Sequence, residues 1–261
     1  MEAFTVDNIS FSYDLVTPVL RDVSFAVHKG EFLSLVGPNG SGKTTLLRLL
    51  DRIFDPSRGR ILLSGQPLSK FSRSAIAQKM AFVPQDGGPQ FPFTVHEIIL
   101  MGRAPYTRGM AFENAHDREV AREMMKLTDI EHLADHSITD LSGGERQRAF
   151  IARAFAQEPE ILLLDEPNAH LDIAHQVDIF RIIKTFNTQR GLTVVSVSHD
   201  LNLAAAYSDR VAMFLSGSLV ALGTPREVLT KKCIEQVFRT EVLIDEHPTR
   251  CTPRVTLLAG S

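Results

Sequence analysis

The feature that most restricts how this chain can fold is a short apolar run, Phe32 to Val36, followed at once by Gly37-Pro38-Asn39-Gly40-Ser41-Gly42-Lys43-Thr44 and then by helix-forming residues as far as Leu50. An apolar segment of this length ending in clustered glycines reads as a buried strand, a tight loop and a helix in succession. The pattern G-x-x-x-x-G-K-[ST] needs each of its residue types. Glycines let successive N–H groups converge on phosphate oxygens, and the helix that follows adds the positive end of its dipole. Lys43 places an ammonium on the outer phosphates. Thr44 offers a hydroxyl to Mg²⁺, an ion that prefers oxygen ligands and keeps several waters. Gly37 through Thr44, with the adjoining Thr45, are therefore candidates for holding a nucleotide.

The rest of the composition narrows the class. The chain has 261 residues, 44% hydrophobic and 23% charged, ordinary for a globular protein with a sizeable core. A net charge of -3 gives no electrostatic reason to expect nucleic acid as a partner. Cys233 and Cys251 lack partners at zinc-site spacing and read as free thiols of a reducing compartment. The opening stretch MEAFTVDNIS has neither the basic nor the apolar region of a secretory signal. No apolar run approaches the roughly 18 residues that span a bilayer. A membrane role would need its spans from another chain.

Periodicity divides the chain into a β-rich opening, a helical block and a second α/β stretch. Phe4 to Tyr13 alternates with a phase slip, and Ser24 to Val27, Arg60 to Leu63 and Ala81 to Val83 read as short strands. Gln85 to Pro92 is glycine- and proline-rich, a connector and a hinge. Thr94 with Glu97 is a capping box, and Glu113 to Leu127 and Ser142 to Gln157 read as helices. Afterwards Ile161 to Leu164 and Leu192 to Ser198 are strands. Ile173, Val177, Phe180 and Ile183 mark a helix face, and Leu201 to Tyr207 is a further helix. Arg210 to Leu215 and Ser218 to Leu222 form a hairpin, and Thr224-Pro225 opens a late helix.

Two further stretches carry chemistry. Ile161-Leu162-Leu163-Leu164 ends in Asp165 and Glu166, and ligands gather at the carboxyl ends of parallel strands. There Asp165 can hold Mg²⁺ through water, and Glu166 can polarise an attacking water. Leu141-Ser142-Gly143-Gly144-Glu145 opens a helix with a capping box, yet its two glycines are poor helix formers. Their merit is bare N–H groups at a positive helix end, suited to a second phosphate contact.

LSGGERQR resembles the signature motif of the ABC ATPases. With GPNGSGKTT, ILLLDEP and VSHD it follows that family's order along nearly the whole chain. The resemblance implies an α/β fold: a P-loop NTPase core with an N-terminal antiparallel β portion and an inserted α-helical subdomain. It places the ATP-binding core at 1–85 and 158–240, the helical subdomain at 86–157 and a C-terminal tail at 241–261. It implies a homodimer in which each ATP lies between two chains, with Ser142, Gly143 and Gly144 on the γ-phosphate of an ATP held by the partner subunit's Lys43. Gln85 resembles the glutamine that senses Mg²⁺ and water, His199 the switch histidine on the γ-phosphate, and Tyr13 the aromatic that stacks on adenine. Catalysis would then rest on Glu166, His199 and Gln85, with Thr44, Gln85 and Asp165 at Mg²⁺. One departure stands out: Ala169-His170-Leu171-Asp172 lacks the serine that often begins this segment in the family.

The resemblance also implies partners, namely transmembrane permease subunits and, indirectly, an extracytoplasmic substrate-binding protein, with this chain peripheral on the cytoplasmic face of the inner membrane. Gly102-Arg103-Ala104-Pro105-Tyr106 and the Glu246-His247-Pro248 region resemble importers of iron-siderophore, haem and cobalamin, so ATP hydrolysis is expected to drive uptake of a metal chelate. Zinc or manganese import is the alternative. A DNA-associated ABC ATPase would carry coiled-coil insertions or tandem halves. A small-molecule kinase would not need the second glycine-rich helix start, and a non-catalytic module would not need Lys43, Glu166 and His199.

Overall fold

Two long strands open the chain, β1 (Glu2–Ser12) and β2 (Pro18–His28). The phase slip in β1 lies at Asn8, which takes φ 47°, and the pairing register shifts between Val6 and Ile9. That irregularity lets Phe4, Val6, Ile9 and Phe11 all bury. The sequence marks only the end of β2 because exposed Arg21 and Asp22 interrupt its alternation. Next come β3 (Phe32–Val36), buried at every position, and α1 (Lys43–Leu50). The computed structural model describes residues 1–14, 16–85, 92–106, 114–169 and 171–258. Most of the expected hinge, Glu113 of the expected helix and His170 lie outside the described residues.

β4 (Arg58–Leu63) and β5 (Gln66–Pro67) join the first two strands in an antiparallel sheet ordered β2-β1-β4-β5. α2 (Arg73–Ala77) and β6 (Met80–Val83) lead to the helical block. There α3 (Val95–Leu100) begins at Thr94, whose N–H donates to Glu97 Oε2 at 2.7 Å, while the Glu97 N–H donates back to Thr94 Oγ1 at 3.2 Å. α4 (Ala115–Leu127) and α5 (Gly143–Ala156) have capping boxes of the same kind, at Asn114 and Ser142. β7 (Ile161–Asp165), α6 (Ile173–Arg190), β8 (Thr193–Val197) and α7 (Leu201–Tyr207) return the chain to alternation. On α6, Phe180 and Ile183 are buried, but Ile173 is 82% exposed. The inward face expected from Ile173 onward begins later, because the first turn stands clear of the sheet.

β9 (Arg210–Leu215) and β10 (Ser218–Gly223) pair as a hairpin, followed by α8 (Pro225–Val228) and α9 (Lys231–Phe238). Residues expected only as a tail form a second hairpin, β11 (Val242–Glu246) against β12 (Pro253–Leu257). Its apolar residues, Val242 and Val255, bury with Ala204 and Ala205 of α7.

The second sheet runs β10-β9-β3-β8-β7-β6, parallel from β9 to β6 with β10 antiparallel at its edge. Side-chain alternation divides its two faces. Ile161 and Leu163 of β7 pack with Leu46, Leu47, Leu49 and Leu50 of α1, which lies between the two sheets. Leu162 and Leu164 face the opposite way, toward α5 and α6. The order β3-β8-β7-β6 has a functional result: the loops leaving these four strands emerge side by side at their carboxyl ends.

The segment Gly102 to Tyr106 forms a 3₁₀ turn with a defined task. Arg103, 4% exposed, donates to Asp117 Oδ1 at 2.9 Å, to the Ala156 carbonyl at 2.7 Å and to Glu158 Oε2 at 2.6 Å. Its guanidinium lies 4.2 Å from the Tyr106 ring centroid. One arginine thus satisfies a carbonyl at the end of α5 and neutralises a buried carboxylate on α4. Removing one member of a buried pair strands the other. Arg103→Ala should lower the free energy of unfolding by about 3 kcal/mol, read by urea denaturation.

Candidate nucleotide site

β3 ends in a loop whose first glycine cannot be replaced without displacement. Gly37 takes φ 147°, and a Cβ there would lie 2.2 Å from the Phe214 carbonyl oxygen of neighbouring β9. The loop wraps around the Lys43 ammonium, which donates to the carbonyls of Gly37 at 2.8 Å and Pro38 at 3.0 Å, with Ser41 Oγ at 3.4 Å. Helix α1 starts after Gly42 with no side-chain cap, so its first N–H groups are left for an anion. Burial pushes the Lys43 ammonium below its ordinary pKa, and the carboxylates of Glu166 and Asp165 oppose that.

Asp165, the last residue of β7, accepts a hydrogen bond from Thr44 Oγ1 at 2.8 Å. Burial raises its carboxyl pKa and the Glu166 charge adds to the rise, while the Thr44 hydrogen bond, Arg48 and Lys43 act the other way. Asp165 and Lys43 are therefore both poorly solvated, with the Glu166 carboxylate beside them. A bound cation would relieve that crowding.

Glu166 is the first residue past β7 and takes φ 51°, the left-handed region that costs a non-glycine residue energy. That turn aims its carboxylate between two neighbouring loops. Gln85, two residues beyond β6, donates from Nε2 to Glu166 Oε2 at 2.9 Å. His199, two residues beyond β8, contacts Glu166 Oε1 through Nε2. The structure thus joins the three residues expected to be catalytic, and the half-exposed His199 leaves the group open to solvent. Tyr13 sits farther out, 56% exposed, with its hydroxyl 3.0 Å from Thr45 Oγ1 and its ring edge-on to Phe11 and Phe54.

The second glycine motif stands apart. Ser142 donates from its N–H and its hydroxyl to Glu145 Oε2, at 2.9 and 2.7 Å. Gly143 is exposed. Gly144 is buried because the His175 ring lies over it: a Cβ at Gly144 would come within 2.2 Å of His175 Cδ2. His175 Nδ1 is 2.8 Å from Asp172 Oδ1, and Asp172 caps α6. Sequence reasoning missed His175. The only available signal was the three-residue step from Asp172 to His175, which places both on one face of a first helical turn.

The crowding at Asp165 can be tested. The folded, ligand-free chain holds this proton to higher pH than the ordinary carboxyl value of 3.8. Stability tied to the neutral form is therefore present in acid and lost as the pH rises through the folded value. Asp165→Asn should raise the melting midpoint of the Mg²⁺-free protein near pH 8 by about 2 °C, with a smaller gain in acid, as differential scanning fluorimetry would show.

Comparison with known proteins agrees with this geometry. The family described as "ABC transporter" matches residues 20–169. The ferric enterobactin transport ATP-binding protein FepC of Escherichia coli K12 is 35% identical, over 97% of this chain and 93% of its own length. The hemin import ATP-binding protein HmuV of Thermobifida fusca is 42% identical, over 95% of this chain and 86% of its own length. Among solved structures, an inward-facing ABC transporter assigned to the metal-chelate type superposes with a TM-score of 0.87 at 29% identity, covering 99% of this chain and 98% of that one. The expected fold, a P-loop core carrying an antiparallel β portion and a helical insertion, is the fold these proteins share. A match that takes in the phosphate loop, the second glycine motif and the acidic strand end, with relatives aligned along nearly the full length, shows that the chain belongs to the ABC transporter family as an ATP-binding subunit that hydrolyses ATP.

Proposed function

We propose that this chain powers uptake of a metal chelate, such as an iron-siderophore, haem or cobalamin, through a separate permease on the cytoplasmic face of the inner membrane. The observation that carries the catalytic part is Glu166, held between Gln85 and His199 beside the phosphate loop. The cargo class rests on likeness to proteins named for ferric enterobactin and hemin import. Among the described residues no helix is long and apolar enough to cross a membrane, which suits a subunit docked on a permease. An extracytoplasmic binding protein would deliver the cargo, and nucleic acid has no part. Residues 1–85 and 158–240 would serve as the ATP-binding core and 86–157 as the helical subdomain, with 241–261 beyond them.

ATP would lie along Gly37 to Thr45, its phosphates on the N–H groups opening α1 and on Lys43, its adenine against the open face of Tyr13. The donor set fits Mg²⁺: the Thr44 hydroxyl and Asp165 carboxylate are hard oxygens, already 2.8 Å apart, and Gln85, hydrogen-bonded to the adjacent Glu166, would add its amide oxygen. Mg²⁺, when bound with the nucleotide, supplies positive charge to the phosphate oxygens. Glu166 polarises the attacking water as general base, and His199 contacts the γ-phosphate while holding Glu166 in place. Ser142, Gly143 and Gly144 would close on the γ-phosphate held by the partner subunit's Lys43. ATP then favours the closed dimer alone, and hydrolysis releases it. Ala169 offers no hydroxyl across that interface, while Asp172 of the segment remains.

Two variants test this reading. Glu166→Gln should bind ATP but hydrolyse it at least about a hundredfold more slowly, and should run as an ATP-dependent dimer on gel filtration. A variant that stays monomeric with ATP would count against the sandwich. Gly144→Ala drives a methyl into the His175 ring. It should leave fluorescent ATP-analogue binding to the single chain intact while lowering turnover about tenfold or more.

A further inference from the structure

Helix α7 begins two residues after His199, and its first turn is tied to the far end of the chain. The Asn202 amide donates from Nδ2 to the Val255 carbonyl at 3.1 Å, and the Val255 N–H donates to Asn202 Oδ1 at 2.8 Å. One side chain therefore pairs with β12 at two points, as a neighbouring strand would. The Asn202 and Leu203 N–H groups both donate to Asp200 Oδ1, at 2.8 and 2.9 Å. Ser198 Oγ donates to the Asp200 carbonyl at 3.1 Å and accepts from its N–H at 3.2 Å. The peptide carrying His199 is thus fixed on both sides of the ring. At the other end of α7, Arg250 of the hairpin connection donates to the Ala206 carbonyl at 3.2 Å and lies 4.9 Å from the Tyr207 ring.

Val242 and Val255 pack on Ala204 and Ala205, farther along α7 than Asn202. A cavity of about 560 Å³, lined by Glu166, His199, Asn202, Phe238, Val255 and Leu257 among others, lies between the His199–Glu166 pair and the hairpin. On the His199 side of that packing, among the described residues, the hydrogen bonds through Asn202 join β12 to the turn that carries His199.

We propose that the C-terminal hairpin is a strut that sets the position of His199 against Glu166, with Asn202 as the positioning residue. The inference rests on the proposed role of His199 in holding Glu166, the general base. Nucleotide binding on the α1 side of the sheet does not pass through Asn202. Its loss should therefore appear in kcat and spare KM.

Steady-state Mg-ATP hydrolysis by the purified full chain provides the test, at a temperature well below each variant's melting midpoint. Asn202→Ala should lower kcat about tenfold with KM for ATP unchanged. In a His199→Ala background the same substitution should cause no further loss, because the element it positions is gone. If Asn202→Ala proves too unstable to assay, Asn202→Asp keeps the acceptor for the Val255 N–H and should lower kcat about threefold. Unchanged kcat in the Asn202 variant, while His199→Ala lowers turnover well below wild type, overturns the strut and leaves the role of His199 standing. A further loss in the double variant also overturns it. Wild-type turnover by His199→Ala removes the role of His199 and the strut together.

Discussion

Everything in this site depends on like charges forced together at the mouth of a parallel sheet. Asp165 and Glu166 are consecutive, and the strand they end is buried from Ile161 onward, so neither acid can retreat. Lys43 answers them only in part, because the loop carbonyls engage its ammonium. In a space of low polarity each such group would cost several kcal/mol alone. The arrangement persists because the strands beneath it are fixed by packing on both faces. Under the proposed function, a nucleotide with its cation would balance these charges. The positive φ of Glu166 belongs to the same account: backbone strain is accepted so that one carboxylate can reach two loops.

Much of this was legible in the sequence, for identifiable reasons. Phe32 to Val36 is buried on both faces and so reads as an uninterrupted apolar run. Thr94, Ser142 and Thr224 each stand three residues before an acid, and all three open helices. Gln85, Glu166 and His199 were named together through the family resemblance, but the residues alone did not show that they touch. Their meeting follows from strand order, which local pattern does not encode. β11 and β12 were missed because charged residues such as Glu246 and Arg254 dilute the apolar signal. Ile173 misled because helical period alone cannot say where a helix first touches the core. His175 was missed because its importance lies in a contact with Gly144, across the fold.

The helical block is joined to the core at a definite place. Gln157, at the end of α5, donates from Nε2 to the Met80 carbonyl at 2.6 Å and also to that of Ala77. Arg103 closes the same helix end against α4 and Glu158. The opposite end of α5, about 20 Å away at 1.5 Å per residue, carries Ser142, Gly143 and Gly144. α5 therefore has its root beside the strand that leads to Gln85 and its tip at the second glycine motif. Rotation at the root is magnified at the tip.

Helix α1 has no such freedom. Leucines at 46, 47, 49 and 50 are buried between the two sheets, so the helix is gripped from above and below. Truncating these fully buried leucines would open voids in the core between the sheets. The proposed seat for the phosphates is thus anchored to a helix packed on both sides. Geometric change during a turnover cycle must be carried by the parts around it, and its extent can be measured against α1 as the origin of coordinates.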